Sequence, residues 1–227
     1  MKLKKFNFLF FIFLFSLSLH SKDKDDFLAG SVVKSERWEI NRDAQTEIFQ
    51  GSVSFRNALY ELKADKAVFY REKKLWEAEG SVYCLRKFED GTSVESYCDK
   101  STYSQNMEKA KMESSPKRVK SIYFLKDGRK IITYSRSLLA DNYSQTVIFE
   151  NEFEVISGSS SVYGEKGIFN SATGDFLIKG ANPSAFGENE KYKLFMEADS
   201  ITLNRDTSVI KAENKVRGYI INKVMEK

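Results

Sequence analysis

The residues best equipped for chemistry in this chain are acids. Asp65, Asp99, Glu165 and Asp199 recur along it, and carboxylate pairs carry out glycosidic hydrolysis, one as acid and the other as base or nucleophile. The recurrence argues against that use. These four acids occupy the same place in successive copies of one motif, whereas the two carboxylates of a hydrolase play different roles and have no reason to repeat. Corner residues do repeat. Acid–base and metal chemistry draw most often on histidine, and the single histidine, His20, sits in a leader-like segment. The sequence contains no phosphate-cradling glycine loop, Cys/His metal cluster or nucleophile elbow. The chain reads as non-enzymatic, with no cofactor or metal expected.

The remaining reactive side chains are two thiols. Cys84 and Cys98 flank the turn signal Asp90-Gly91, each seven residues from Gly91. A hairpin centred on Gly91 would set them opposite each other. In an oxidising compartment a cross-strand disulfide is then expected, worth about 3 kcal/mol for a loop of roughly 15 residues. Two buried free thiols are the other reading.

Stepping outward, residues 1–21 read as a secretory signal peptide. Lys2, Lys4 and Lys5 precede an apolar run from Phe6 to Leu19 that holds six phenylalanines. At the helical rise this run reaches roughly 21 Å, short of a hydrocarbon core of about 30 Å. Ser16, Ser18 and Ser21 offer a cleavage zone before a polar linker at 22–30. An uncleaved anchor is the alternative. Without the leader, thirty-three basic residues face thirty-two acids, so most of the formal +4 belongs to the leader. The interleaved charges offer no basic face for nucleic acid.

After the leader the chain reads as strands, and a pattern recurs. Asp65 leads to Gly80 and Asp199 to Asn214, each across fifteen residues; Glu36 to Gly51, Asp99 to Ser114, Arg136 to Asn151 and Glu165 to Gly180 keep the same spacing. The insertions between units are expected in loops, such as Lys87–Thr92 and Lys126–Lys130. Within the second strand of each unit one side is apolar: Phe49, Val53 and Phe55; Trp76 and Val82; Phe149 and Phe153; Phe176 and Ile178; Ile210 and Val216. The first strands add Trp38, Ile40, Phe69, Phe169, Ile201 and Leu203. The other side carries Glu77, Glu79, Lys179, Lys211 and Glu213. The pattern predicts an all-β array of about six strand-turn-strand units over residues 31–222, antiparallel with one buried face, followed by a tail at 223–227. Its apolar sides either pack solid or leave a slot for an apolar ligand.

The segments Ala64-Asp65-Lys66-Ala67-Val68-Phe69-Tyr70 and Glu77-Ala78-Glu79-Gly80-Ser81-Val82 resemble the repeat of the LptA/OstA lipopolysaccharide-transport family, as do Gly51-Ser52-Val53 and Met196-Glu197-Ala198-Asp199. The polar unit Ser96–Pro116 and the basic Arg136 depart from that pattern. The resemblance implies a V-shaped antiparallel β-jellyroll in the periplasm whose interior binds the acyl chains of lipopolysaccharide, the lipid A moiety. It also implies joining to other jellyroll components, or to further copies of the chain, by edge-strand pairing. The seventeen apolar residues named above are the expected groove lining. Burying a dozen methylenes offsets on the order of 10 kcal/mol, so a continuous apolar slot is what such a cargo needs. Two rivals stand beside this reading: a membrane-anchored LptC-like component of the same system, and a filled, structural or adhesive β-solenoid.

Overall fold

The computed structural model describes residues 31–223. The expected signal peptide, the linker and all but the first residue of the tail lie outside the described residues. Among the described residues eighteen antiparallel strands form one continuous hydrogen-bonded sheet. They are β1 (Val32–Lys34), β2 (Arg37–Asn41), β3 (Thr46–Arg56), β4 (Tyr60–Tyr70), β5 (Leu75–Lys87), β6 (Ser93–Ser104), β7 (Lys109–Glu113), β8 (Val119–Phe124) and β9 (Lys130–Ser135). The second half holds β10 (Ser137–Asp141), β11 (Thr146–Ser157), β12 (Ser160–Asn170), β13 (Asp175–Lys179), β14 (Ser184–Glu188), β15 (Tyr192–Glu197), β16 (Ser200–Asn204), β17 (Ile210–Glu213) and β18 (Arg217–Asn222).

The sheet is folded along a crease. On one side the pairing runs β2-β3-β4-β5-β6-β7-β10-β11-β12-β13-β16-β17. On the other it runs β1-β3-β4-β5-β6-β8-β9-β11-β12-β14-β15-β18. Long strands such as β3, β4, β5, β6, β11 and β12 therefore pass from one leaf to the other midway. Shorter strands meet the crease at a break.

The fifteen-residue recurrence is this crease. Gly51-Ser52 bulges opposite Asp65, between the pairs Gln50↔Lys66 and Val53↔Ala64. Gly80-Ser81 bulges opposite Asp99, between Glu79↔Lys100 and Val82↔Cys98. Two residues against one bend a strand sharply. Both bulge residues are left-handed, with φ of 76° and 47° at Gly80 and Ser81, and 61° and 56° at Asn151 and Glu152. Glycine and asparagine tolerate that region best. At Gly80 there is a second reason: an added Cβ would collide with the Asp65 carboxylate that folds over it.

The corner residue fifteen places earlier meets the bulge directly. The Glu36 and Asp199 amides donate to the carbonyls of Gly51 and Asn214, both at 3.0 Å, and the Arg136 amide to that of Asn151 at 2.9 Å. Arg136 stands where other units carry an acid, and its partner is inverted to match. It pairs with Glu152 at 2.9 Å, whereas Asp199 pairs with Lys215 at 3.4 Å.

Away from the crease the first leaf ends in a row of four-residue turns. Asn41, Asp141, Asn170 and Asn204 cap them by accepting backbone N–H groups through their side-chain oxygens. Lys87–Thr92 and Lys126–Lys130 are hairpin tips of the second leaf, as expected. The insertions between units are not all loops, however. They include β8, β9, β14 and β15, which build out that leaf.

Candidate functional site

The site is the space between the leaves. Phe49, Val53, Phe55, Trp76, Val82, Phe149, Phe153, Phe169, Phe176, Ile178, Ile201 and Leu203 all face it and are buried. Phe69 and Ile210 pack against the same core, partly buried. Trp38, Ile40 and Val216, expected in the same lining, are instead about half exposed, at 55%, 50% and 54%. The reason is position. Trp38 and Ile40 stand on β2, the last described strand of its leaf, and Val216 lies between the terminal described strands β17 and β18, so no further described unit covers them.

Two aromatic clusters fill most of the interior. At the β1/β2 end, Trp76 stacks on Phe69 at 4.4 Å, meets Phe55 edge-on at 5.1 Å, and lies 6.1 Å from Phe49, which in turn contacts Trp38 at 5.1 Å. Farther along, Phe176 stacks on Phe169 at 4.4 Å and is flanked by Phe149, Phe153 and Tyr123 at 6.3, 6.5 and 6.1 Å. The Phe153 ring occupies the space in front of Gly167, where a Cβ would collide with it. Burial pushes the Tyr123 phenol well above its ordinary pKa.

Between the clusters the inward side chains are small and hydroxylic. Ser96, Ser101, Ser121, Thr133 and Ser135 are buried there, with Ser96 and Ser121 in contact at 2.9 Å between their Oγ atoms. Cys84 and Cys98 belong to this band, and both are free thiols. The expected opposition fails because the hairpin closes from Phe88 to Thr92, so that it centres on Asp90 rather than Gly91. Cys84 then faces Ser96, and Cys98 faces Val82. Burial pushes the Cys84 thiol up to about 12.

The leaves meet at their outer rims through two arginines. Arg86 on β5 donates to Asn142 Oδ1 at 2.8 Å, in the β10–β11 turn. Arg129 in the β8–β9 turn donates to Ser208 Oγ at 2.7 Å and to the Asp206 carbonyl at 2.9 Å, both in the β16–β17 turn. A polar cleft of about 230 Å³ lies beside this second bridge, lined by Asp90, Lys126, Arg205 and others. An apolar cleft of about 190 Å³ opens at the β1/β2 end among Val33, Trp38, Phe49, Phe55, Phe69 and Trp76, with Glu47 and Gln105 also lining it.

Several interior residues escaped the sequence reading: Leu62, Ala64, Val119, Ile131, Val162 and Ala185. On the acid-bearing strands the inward phase slips at the crease, from Leu62 and Ala64 to Ala67 and Phe69, with Asp65 and Lys66 between. The break at the acid itself was the signal that could have located them.

Residues 32–175 match the family model of the LptA/(LptD N-terminal domain) LPS transport protein. No curated protein matches the chain. Among solved structures it is similar to LptH of Pseudomonas aeruginosa, described as the LptA homologous periplasmic component of the conserved lipopolysaccharide transport device. The identity is 10%, over 84% of this chain and 93% of that one, with a TM-score of 0.27. The family match spans most of the chain and includes the repeated corner-and-bulge units from Glu36–Gly51 to Arg136–Asn151, and on it the chain belongs to the LptA/(LptD N-terminal domain) LPS transport family.

Proposed function

We propose that the chain binds the acyl chains of lipopolysaccharide between its leaves and helps to move the lipid across the periplasm to the outer membrane. The observation that carries this is the inward face, apolar and aromatic on either side of a band of small hydroxyl side chains, in a member of an LPS transport family. Sugars and phosphates stay outside. Each acyl methylene sheltered offsets about 0.8 kcal/mol of exposure to water, so tails can replace the contacts the leaves now make with each other. The leaves part at the rim, where Arg86 and Arg129 hold them, and the crease stays paired.

Among the described residues both ends of the array offer unpaired strand edges, β1 and β2 at one and β17 and β18 at the other. Such edges suit strand addition to other jellyroll components of a transport bridge or to further copies of the chain. Photo-crosslinking in cells from Phe149 or Phe176 tests the reading. Capture of lipopolysaccharide at these positions and not at surface controls is the expected result, and silence at both sinks it. The packed interior is also what a purely structural rod would show, and uptake of a fatty ligand by the purified protein separates the two. The apolar run at 6–19 keeps open a membrane-anchored component, which N-terminal sequencing of the mature protein distinguishes.

A further inference from the structure

We infer that the polar cleft beside the second rim bridge is a site for a phosphate-type oxyanion, and that an anion seated there competes for the Arg129 guanidinium and so frees the two leaves to part. This rests on the proposed opening at the rim and adds what releases it. Across the rim the terminal nitrogens of Arg129 meet neutral acceptors only: Ser208 Oγ at 2.7 Å, and the carbonyls of Asp206 at 2.9 Å and Arg205 at 3.4 Å. Its Nε is fixed within its own turn by Asp127 at 2.6 Å. The bridge is therefore made by the two nitrogens that suit an oxyanion side by side, and a guanidinium binds such an acceptor more strongly than a neutral one. An anion shifts the leaves only through a difference in affinity between their two arrangements. That difference is built in, because the terminal nitrogens are occupied when the rim is closed and released when it opens.

The cleft has the room and the donors. Its volume of about 230 Å³, lined by Lys126, Arg129 and Arg205, is several times the roughly 30 Å³ share of a water molecule. Lys126 is lightly held, with its partner Asp90 at 3.9 Å, beyond hydrogen-bonding distance. Arg205 holds Asp206 through Nε at 2.9 Å and one terminal nitrogen at 3.2 Å, which leaves the other. The acids have donors of their own: Asp90 accepts the Thr92 amide and hydroxyl, and Asp127 the Arg129 amide as well as its Nε. Three acids balance three bases, so no net field draws an ion in. Selection falls to directional bonds, which a tetrahedral oxyanion accepts on several oxygens and a halide does not. The cleft also roofs the second aromatic cluster, with the Arg205 guanidinium 5.7 Å from the Phe169 ring and Leu125 packed on the core. An anionic head held here starts an attached tail beside Phe169.

Amide exchange in the β8–β9 and β16–β17 turns, with inorganic phosphate or with chloride at equal ionic strength, reads the bridge without any lipid. For a millimolar site, about 20 mM phosphate should raise exchange in both turns roughly 5-fold and leave the β2–β3 turn unchanged. Lys126→Gln should lose most of this response, and Arg129→Ala, whose bridge is already gone, should show none. Should Arg129→Ala not fold, the wild type and Lys126→Gln decide. Uptake of a fluorescent acyl probe in the presence of dodecyl phosphate, dodecanol or inorganic phosphate then separates the sources. Acceleration by dodecyl phosphate at far lower concentration than inorganic phosphate assigns the site to a lipid headgroup, and equal potency assigns it to the free ion. Equal exchange in phosphate and chloride overturns the inference and leaves the transport reading standing, as does an undiminished response in either variant. Loosened turns with no probe taken up keep the anion site and sink the transport reading.

Discussion

Arg129→Ala should open the rim. The guanidinium makes two well-formed bonds across it, to Ser208 Oγ at 2.7 Å and the Asp206 carbonyl at 2.9 Å, and a longer one to the Arg205 carbonyl at 3.4 Å. Its Nε is steadied by Asp127 at 2.6 Å. The side chain is 39% exposed, which places each good bond toward the lower end of the usual net value. Together they hold the rim by on the order of 1–2 kcal/mol. Losing them raises the open population roughly 5–30-fold. If tails enter at the rim, uptake of a fluorescent acyl probe in stopped-flow mixing should accelerate by a similar factor, and amide exchange in the β8–β9 and β16–β17 turns should rise with it. Arg129→Lys, which keeps the charge without the fork, should fall between. Faster exchange in both turns with an unchanged uptake rate would refute the reasoning, because it would show the rim to be loosened yet irrelevant to entry.

Three other predictions concern the frame. Arg136→Glu sets two acids together at the crease and should destabilise by about 0.5–1 kcal/mol, while the double exchange with Glu152→Arg should recover most of it; urea midpoints of the four proteins give the coupling. Neither Cys84 nor Cys98 should take up a thiol reagent at pH 8 until denaturant is added, and intact mass should not change with reductant, since burial holds the Cys84 thiol up to about 12. The Asp175 carboxyl is held below the usual carboxylate range by the Asn204 side-chain amide, which donates to it at 2.7 Å. A lowered folded value means the stabilisation is complete above the ordinary aspartate pKa and is lost as pH falls through the lowered one. Melting temperatures of wild type and Asp175→Asn should therefore differ at neutral pH and converge in acid; a constant gap rejects the linkage.

The frame was largely legible because the crease repeats chemistry as well as hydropathy. A corner residue, fifteen residues and then a glycine or asparagine marked every bend but the one at Ser114, and the apolar side of the second strand kept its phase through the bulge, as at Trp76, Ala78 and Val82. What escaped follows from the same bend. On the acid strands strict alternation fails between Ala64 and Ala67, so Leu62 and Val162 look misplaced until the fold is known. The strands β8, β9, β14 and β15 resembled spacers because they carry one half of the motif, a leaf without a corner. The thiol pairing missed by two residues, since a five-residue hairpin tip centred on Asp90 is indistinguishable from one centred on Gly91 until the backbone is seen. Half-exposure of Trp38, Ile40 and Val216 is a property of being last in line, which periodicity cannot express.

The crease also governs how the array can be lengthened. Each end of the array presents two margins, in different planes, that no described strand covers, β1 with β2 and β17 with β18. A neighbour docking on both must share the same dihedral opening and the same offset between margins, as a two-pronged plug matches one socket. Such a joint resists swivelling, so whatever continues this molecule inherits the heading of its furrow.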